Sequence, residues 1–162
     1  MHTAAVITVS DSVARGQRTD RSGPAAAEVL LQHGFDVTQQ RAVVDDQSEI
    51  ERTLTQLSEQ VRLIVTTGGT GVSERDVTPE ATRAVCSKLI EGIPQKMRAE
   101  GLASTEFAIL SRGVCGVRGQ SLILNLPGSP AGAVDSLQSV IEILPHALEL
   151  LAGKTEHEDA DP

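Results

Sequence analysis

The chain is 162 residues long, enough for one compact domain with a sizeable core and too short for two ordinary ones. Hydrophobic residues make up 40% of it and aromatic residues 1%, so Val, Leu, Ile and Ala must build the core, with Phe35 and Phe107 as its only rings. A formal net charge of -8 excludes the clustered Lys and Arg footprint that nucleic acid requires. Cys86 and Cys115 are far apart and lack the spacing of a zinc site, so they read as reduced thiols in a core. The four histidines are scattered, and none neighbours a Ser or Cys in a nucleophilic arrangement. Neither a membrane-spanning apolar run nor a signal peptide is legible, which sets the expectation of a cytoplasmic chain with no membrane partner.

In chain order, residues 3–9 form a β-branched apolar run that ends at Ser10-Asp11 and predicts a buried strand followed by a polar loop. Ser22 is placed to cap a helix with Pro24 in its first turn, and Gly34 stops that helix. A strand over about 36–44 follows, then a helix after Asp45-Asp46 in which Ile50, Leu54 and Leu57 recur at helical spacing. The third strand, 63–67, runs straight into Gly68-Gly69-Thr70-Gly71, and Thr78-Pro79-Glu80 carries the cap, proline and acidic first turn of another helix. Residues 92–104 predict a helix and 121–126 a strand. After Pro127-Gly128-Ser129-Pro130, helical sequence continues to Leu151 with a break at Pro145. Alternating strands and helices predict a three-layer α/β/α domain over 1–153 with a mainly parallel sheet, followed by an acidic, disordered tail over 154–162. In such sheets ligands bind beyond the carboxyl ends of the strands. That is where Ser10-Asp11, Asp45-Asp46, Gly68–Gly71 with Asp76, and Asn125–Pro130 all fall.

The Gly68–Gly71 segment lets backbone approach a ligand and aim N–H groups at an anion, although a tight structural turn explains the same glycines. It is neither a Walker A loop nor a dinucleotide fingerprint. Asp76 follows it closely, and Asp45 ends the second strand. Together they suggest a magnesium site, since magnesium takes one or two carboxylates plus phosphate oxygens and water. Each also has a plain alternative, with Asp76 as a loop or cap residue and Asp45 as the cap of the helix containing Glu49. Ser129 and Pro130 read equally as a helix cap or as the approach to an anion-binding helix start. Arg112 is either a forked donor to a ligand or a surface ion pair.

Taken together, the ordered set Val9-Ser-Asp11, Asp20-Arg-Ser-Gly-Pro24, Val44-Asp-Asp46, Thr66-Thr-Gly-Gly-Thr-Gly71, Arg75-Asp-Val-Thr-Pro-Glu80, Ile109-Leu-Ser-Arg112 and Leu126-Pro-Gly-Ser-Pro130 resembles the Mog/MoaB family, which includes the molybdopterin-binding G domain of gephyrin. The resemblance spans roughly residues 4 to 152. It implies an enzyme of molybdenum cofactor biosynthesis that joins the phosphate of molybdopterin to the AMP moiety of ATP with magnesium, releasing pyrophosphate. It implies catalytic and metal roles for Asp45 and Asp76. Substrate contacts fall to Ser10, Asp11, Gly68, Gly69, Thr70, Gly71, Arg112, Asn125, Pro127, Gly128 and Ser129, and the assembly implied is a homotrimer. Two departures stand out: Gln95 where the family commonly has a glutamate, and Cys115 where alanine is common. A second reading of the same resemblance is a binding module without turnover. Retention of both Asp45 and Asp76 favours the enzyme.

Overall fold

A computed structural model describes residues 1–154, so the expected tail lies, beyond Lys154, outside the described residues. The first apolar run is β1 (Thr3–Val9), followed by a single turn, α1 (Asp11–Ala14), and then by α2 (Ser22–Gln32). Ser22 does not cap α2. The carboxylate of Asp20 does so instead, accepting from the N–H of Gly23 at 3.0 Å, while its other oxygen accepts from the hydroxyl of Thr8 at 2.6 Å. Ser22 lies inside the first turn, where its hydroxyl bonds that of Thr67 at 2.8 Å.

The chain continues with β2 (Asp36–Val43), α3 (Gln47–Ser58), β3 (Leu63–Thr67), α4 (Thr78–Val85), the two-residue β4 (Lys88–Leu89) and α5 (Gly92–Gly101). It ends with β5 (Cys115–Arg118), β6 (Ser121–Leu126), α6 (Pro130–Val140) and α7 (Leu144–Leu151). The sheet order is β2-β1-β3-β6-β5-β4. β2, β1, β3 and β6 run parallel, with Val6 opposite Val65 and Val65 opposite Leu124. β5 and β4 add an antiparallel edge.

Each central strand feeds two cores, because successive side chains point to opposite faces. Ala4 and Val6 of β1, with Leu122, Leu124 and Leu126 of β6, pack under α2, α6 and α7. Ala5 and Ile7, with Ile64 and Ile123, pack under α3, where Ile50, Leu54 and Leu57 are fully buried. These central strands therefore read as continuous apolar runs, as doubly covered parallel strands must. The outermost strand β2 is instead polar and mostly exposed, with Gln39, Gln40 and Arg41. Such residues blunt an edge that would otherwise pair with another chain.

Three boundaries differ from expectation. The helix from residue 92 ends at Gly101 rather than 104. Thr78 is the first helical residue rather than the cap, because its hydroxyl is spent on the carbonyl of Gly68 at 3.0 Å. The helical sequence after Ser129 breaks into α6, a 3₁₀ turn at Ile141–Ile143, and α7, with Pro145 in the first turn of α7.

Candidate active site

The loops after β1, β2, β3 and β6 surround a cavity of about 1160 Å³. It lies over the ends of β1 and β3, where the chain, having run from β1 outward to β2, returns to the other side of β1. Loops diverge at such switch points and leave a crevice.

The β1 and β2 loops are latched by a reciprocal pair. The carboxylate of Asp45 accepts from the N–H of Asp11 at 3.0 Å, and the carboxylate of Asp11 accepts from the N–H of Asp45 at 2.9 Å. The second oxygen of Asp11 accepts from Arg75, which reaches across from the loop after β3. The Asp45 N–H and the Arg75 guanidinium hold the Asp11 carboxyl below the usual aspartate value. Asp45 shifts the other way. Burial pushes its carboxyl up, the charges of Asp11 and Asp76 push in the same direction, and the Asp11 N–H and Arg75 only partly oppose them. Asp45 is not the cap of α3; that role falls to Asp46, which accepts from the N–H of Glu49 at 2.9 Å.

Asp76 is set by its own loop, its Oδ2 accepting from the N–H and the hydroxyl of Ser73 at 3.0 and 2.8 Å. Among the described residues, Oδ1 of Asp45 and Oδ1 of Asp76 accept no hydrogen bond. Both side chains line the cavity.

The glycine loop serves the fold and the cavity together. Gly68 and Gly69 adopt φ of +91° and +69°, the left-handed region that favours glycine. A Cβ on Gly68 would lie 2.4 Å from the carbonyl oxygen of Val9, and one on Gly69 would lie 2.2 Å from the hydroxyl of Thr78. The Gly68 N–H donates to Leu126 at 3.1 Å, so it is committed to β6. The amides of Gly69, Thr70 and Gly71 have no protein acceptor among the described residues. On the β6 side, Ser129 caps α6 by accepting from the N–H of Gly132 at 3.1 Å, and Gly128 and Ser129 form the cavity wall.

Of the residues expected from sequence, Ser10, Asp11, Asp45, Gly68, Gly69, Asp76, Gly128 and Ser129 line this one cavity. Thr70, Gly71, Arg112, Asn125 and Pro127 do not. Asn125 is buried. Its amide donates to Thr66 and Thr82 at 3.1 and 2.9 Å, and its oxygen accepts from the N–H of Val114 at 3.1 Å, so it ties β6 to its neighbours. Pro127 lines a separate hollow of about 180 Å³ beside α5. Arg112 is bound to protein acceptors on the loop after β3 and on α4. Gln95 lines a third cavity, of about 420 Å³, with Arg83, Arg98 and Arg112.

The sequence reading passed over four arginines on the main cavity wall: Arg15, Arg18, Arg21 and Arg75. Arg75 stood inside a quoted motif. The other three lie in the polar loop after β1, whose only signal was its position beyond a strand end. With Arg75 they set four cations beside Asp11, Asp20, Asp45 and Asp76 on the same wall, so that an anion entering this acidic chain meets arginine donors there.

Residues 5–146 match the family described as "Probable molybdopterin binding domain". A molybdopterin adenylyltransferase of Helicobacter pylori is 38% identical over 152 residues, covering 91% of this chain and 86% of that protein. The Escherichia coli protein of the same name is 36% identical over 165 residues, covering 91% and 84%. The crystal structure of the molybdopterin biosynthesis enzyme MoaB from Thermus thermophilus superposes with a TM-score of 0.89 at 46% identity, covering 95% of this chain and 98% of that one. With the family model matched over residues 5–146 and relatives 36 and 38% identical over most of their own length, the chain belongs to the molybdopterin-binding domain family of Mog and MoaB.

Proposed function

We propose that the main cavity adenylylates molybdopterin. An oxygen of the molybdopterin phosphate attacks the α-phosphorus of ATP, the bond from that phosphorus to the β-phosphate breaks, and pyrophosphate leaves with the electron pair. The attacking phosphate is already ionised at neutral pH, so no side chain has to take a proton from it. What remains is positioning and charge stabilisation. The observation that carries the reading is one wall holding two carboxylates, each with an uncommitted oxygen, beside the free amide of Gly69 and a rim of arginines.

The donor set fits magnesium. Among the described residues no three acidic, His or Cys side chains converge on a metal by themselves, whereas magnesium bound with a nucleotide needs only one or two carboxylates. Asp45 and Asp76 would hold it, and when bound it neutralises phosphate charge. Arg75 and the amide of Gly69 would orient the phosphates, and Ser10, Asp11, Gly128 and Ser129 would close round the ligands. No helix among the described residues is long and apolar enough to cross a membrane. We place the reaction in the cytoplasm and the active assembly as a homotrimer, following the family resemblance.

The test is pyrophosphate release from Mg-ATP with and without molybdopterin. Release should require both substrates and appear in equal amount with adenylylated pterin. Binding of molybdopterin with no pyrophosphate would support the binding-module reading instead.

A further inference from the structure

The structure assigns Arg112 and Glu80 a positioning role: together they clamp the backbone of Gly71 to that of Asp76 and so fix the Asp76 carboxylate against the glycine loop. The inference rests on the adenylyl-transfer reading of the site and moves Arg112 from substrate contact to support.

The geometry is specific. Arg112 Nε donates to the carbonyl of Gly71 at 2.8 Å, and Nη2 donates to the carbonyl of Asp76 at 2.8 Å. The outer edge of the guanidinium meets Glu80, with Nη1 on Oε1 and Nη2 on Oε2, the latter at 3.4 Å. The backbone N–H of Arg112 adds a bond to the carbonyl of Thr70 at 2.8 Å. One residue therefore spans the two ends of the segment 70–76 and its exit into α4. The two ends are close. A Cβ on Gly71 would lie 2.8 Å from Asp76 Oδ2, so the carboxylate rests directly over the loop. With Nε and Nη2 engaged by backbone carbonyls and both terminal nitrogens reaching Glu80, Arg112 has little donor capacity left for a ligand. It lines the cavity beside Gln95 and not the one that Asp76 faces.

Stability alone does not account for the arrangement. Both side chains are partly exposed, at 38% and 43%, and ion pairs in that setting add little to folding. The planar fork matters because it meets three acceptors in fixed directions, which a lysine ammonium on a flexible stem does not. Residues that orient a ligating group in this way commonly affect metal affinity or activity by about 10- to 100-fold when altered.

The experiment compares wild type with Arg112→Lys, Glu80→Gln and the double variant. Three quantities are read: thermal melting, steady-state pyrophosphate release, and manganese(II) affinity in the presence of ATP, which needs no turnover. For Arg112→Lys we expect kcat to fall by about 10- to 100-fold and manganese affinity by about tenfold, with KM for molybdopterin within about threefold and melting close to wild type. Glu80→Gln, whose amide oxygen still accepts, should show a smaller loss. The double variant should match Arg112→Lys alone, since both changes break one unit. A rise of about tenfold in KM for either substrate at unchanged kcat would return Arg112 to substrate contact. Wild-type kcat and manganese affinity in Arg112→Lys would remove the clamp. If wild type itself released no pyrophosphate, the reaction reading would fail, and manganese affinity would still decide for or against the clamp.

Discussion

Asp11 and Asp45 share two hydrogen bonds yet titrate in opposite directions, and the sign of each shift has consequences. Asp11 is held below its ordinary value of 3.8 by the Asp45 N–H and by Arg75, so its contribution to folding is present above that value and is lost as pH falls through the depressed one. Asp45 is raised above 3.8 chiefly by burial. The fold therefore favours its protonated form, a contribution complete below 3.8 and lost as pH rises through the raised value. A ligand to magnesium must be ionised, which predicts that the acid limb of kcat/KM lies above the range of a free aspartate. In Asp11→Asn one of the like charges is removed and Arg75 is left to face Asp45, so the acid limb should move to lower pH. An unmoved limb would show that another group sets it. Asp76→Asn should lower pyrophosphate release by about two orders of magnitude with unchanged melting, because an amide holds magnesium poorly; near wild-type turnover would remove Asp76 from the reaction. Both aspartates were legible in the sequence because each ends a strand or follows a glycine loop. The destinations of Arg112 and Asn125 were not, since their partners lie 32 or more and 11 or more residues away, and only the assembled sheet shows which way a side chain turns.

At the level of elements, the glycine loop separates two effects that sequence alone conflates. Gly69→Val puts a branched side chain on a left-handed backbone and against Thr78, so it should cost about 1–2 kcal/mol or more in folding, before any ligand is added. Gly128→Ala is the better probe of ligand approach. Its Cβ would meet the backbone of Gly68, at 3.2 Å from Cα and 3.8 Å from N, on an exposed stretch of the cavity wall. A smaller fall in melting than for Gly69→Val with a raised KM for ATP is expected, and an unchanged KM would place the ligand elsewhere. The central strands of the parallel sheet were readable because burial on both faces demands continuous apolar runs. The edge formed by β4 and β5 was not: two and four residues are too few for a period, and the hairpin that pairs β5 with β6 carries only Gly119 at φ +57° as its signal. The cap of α2 falls at Asp20, two positions before the expected Ser22, because Ser22 has equal capping chemistry and only its longer-range bond to Thr67 takes it away, just as the bond to Asp11 leaves the cap of α3 to Asp46 rather than Asp45.

For the whole molecule, the net charge and the cavity wall differ in character. A chain of -8 repels anionic ligands at long range, while the cavity wall sets Arg15, Arg18, Arg21 and Arg75 against Asp11, Asp20, Asp45 and Asp76, a mixed lining that suits a small polyanion bound with a cation rather than an extended polymer of phosphates. The two cores on either side of the sheet hold the strand ends that carry this cavity, so the site is a property of the whole packing and of no single loop. The account stands most directly on the fate of the α-phosphate, followed with ATP labelled at that position in the presence of magnesium and molybdopterin. The label should appear in the pterin product, with unlabelled pyrophosphate released in equal amount. Label confined to ATP, or found in free AMP or ADP while the pterin stays unlabelled, would contradict adenylyl transfer by this chain.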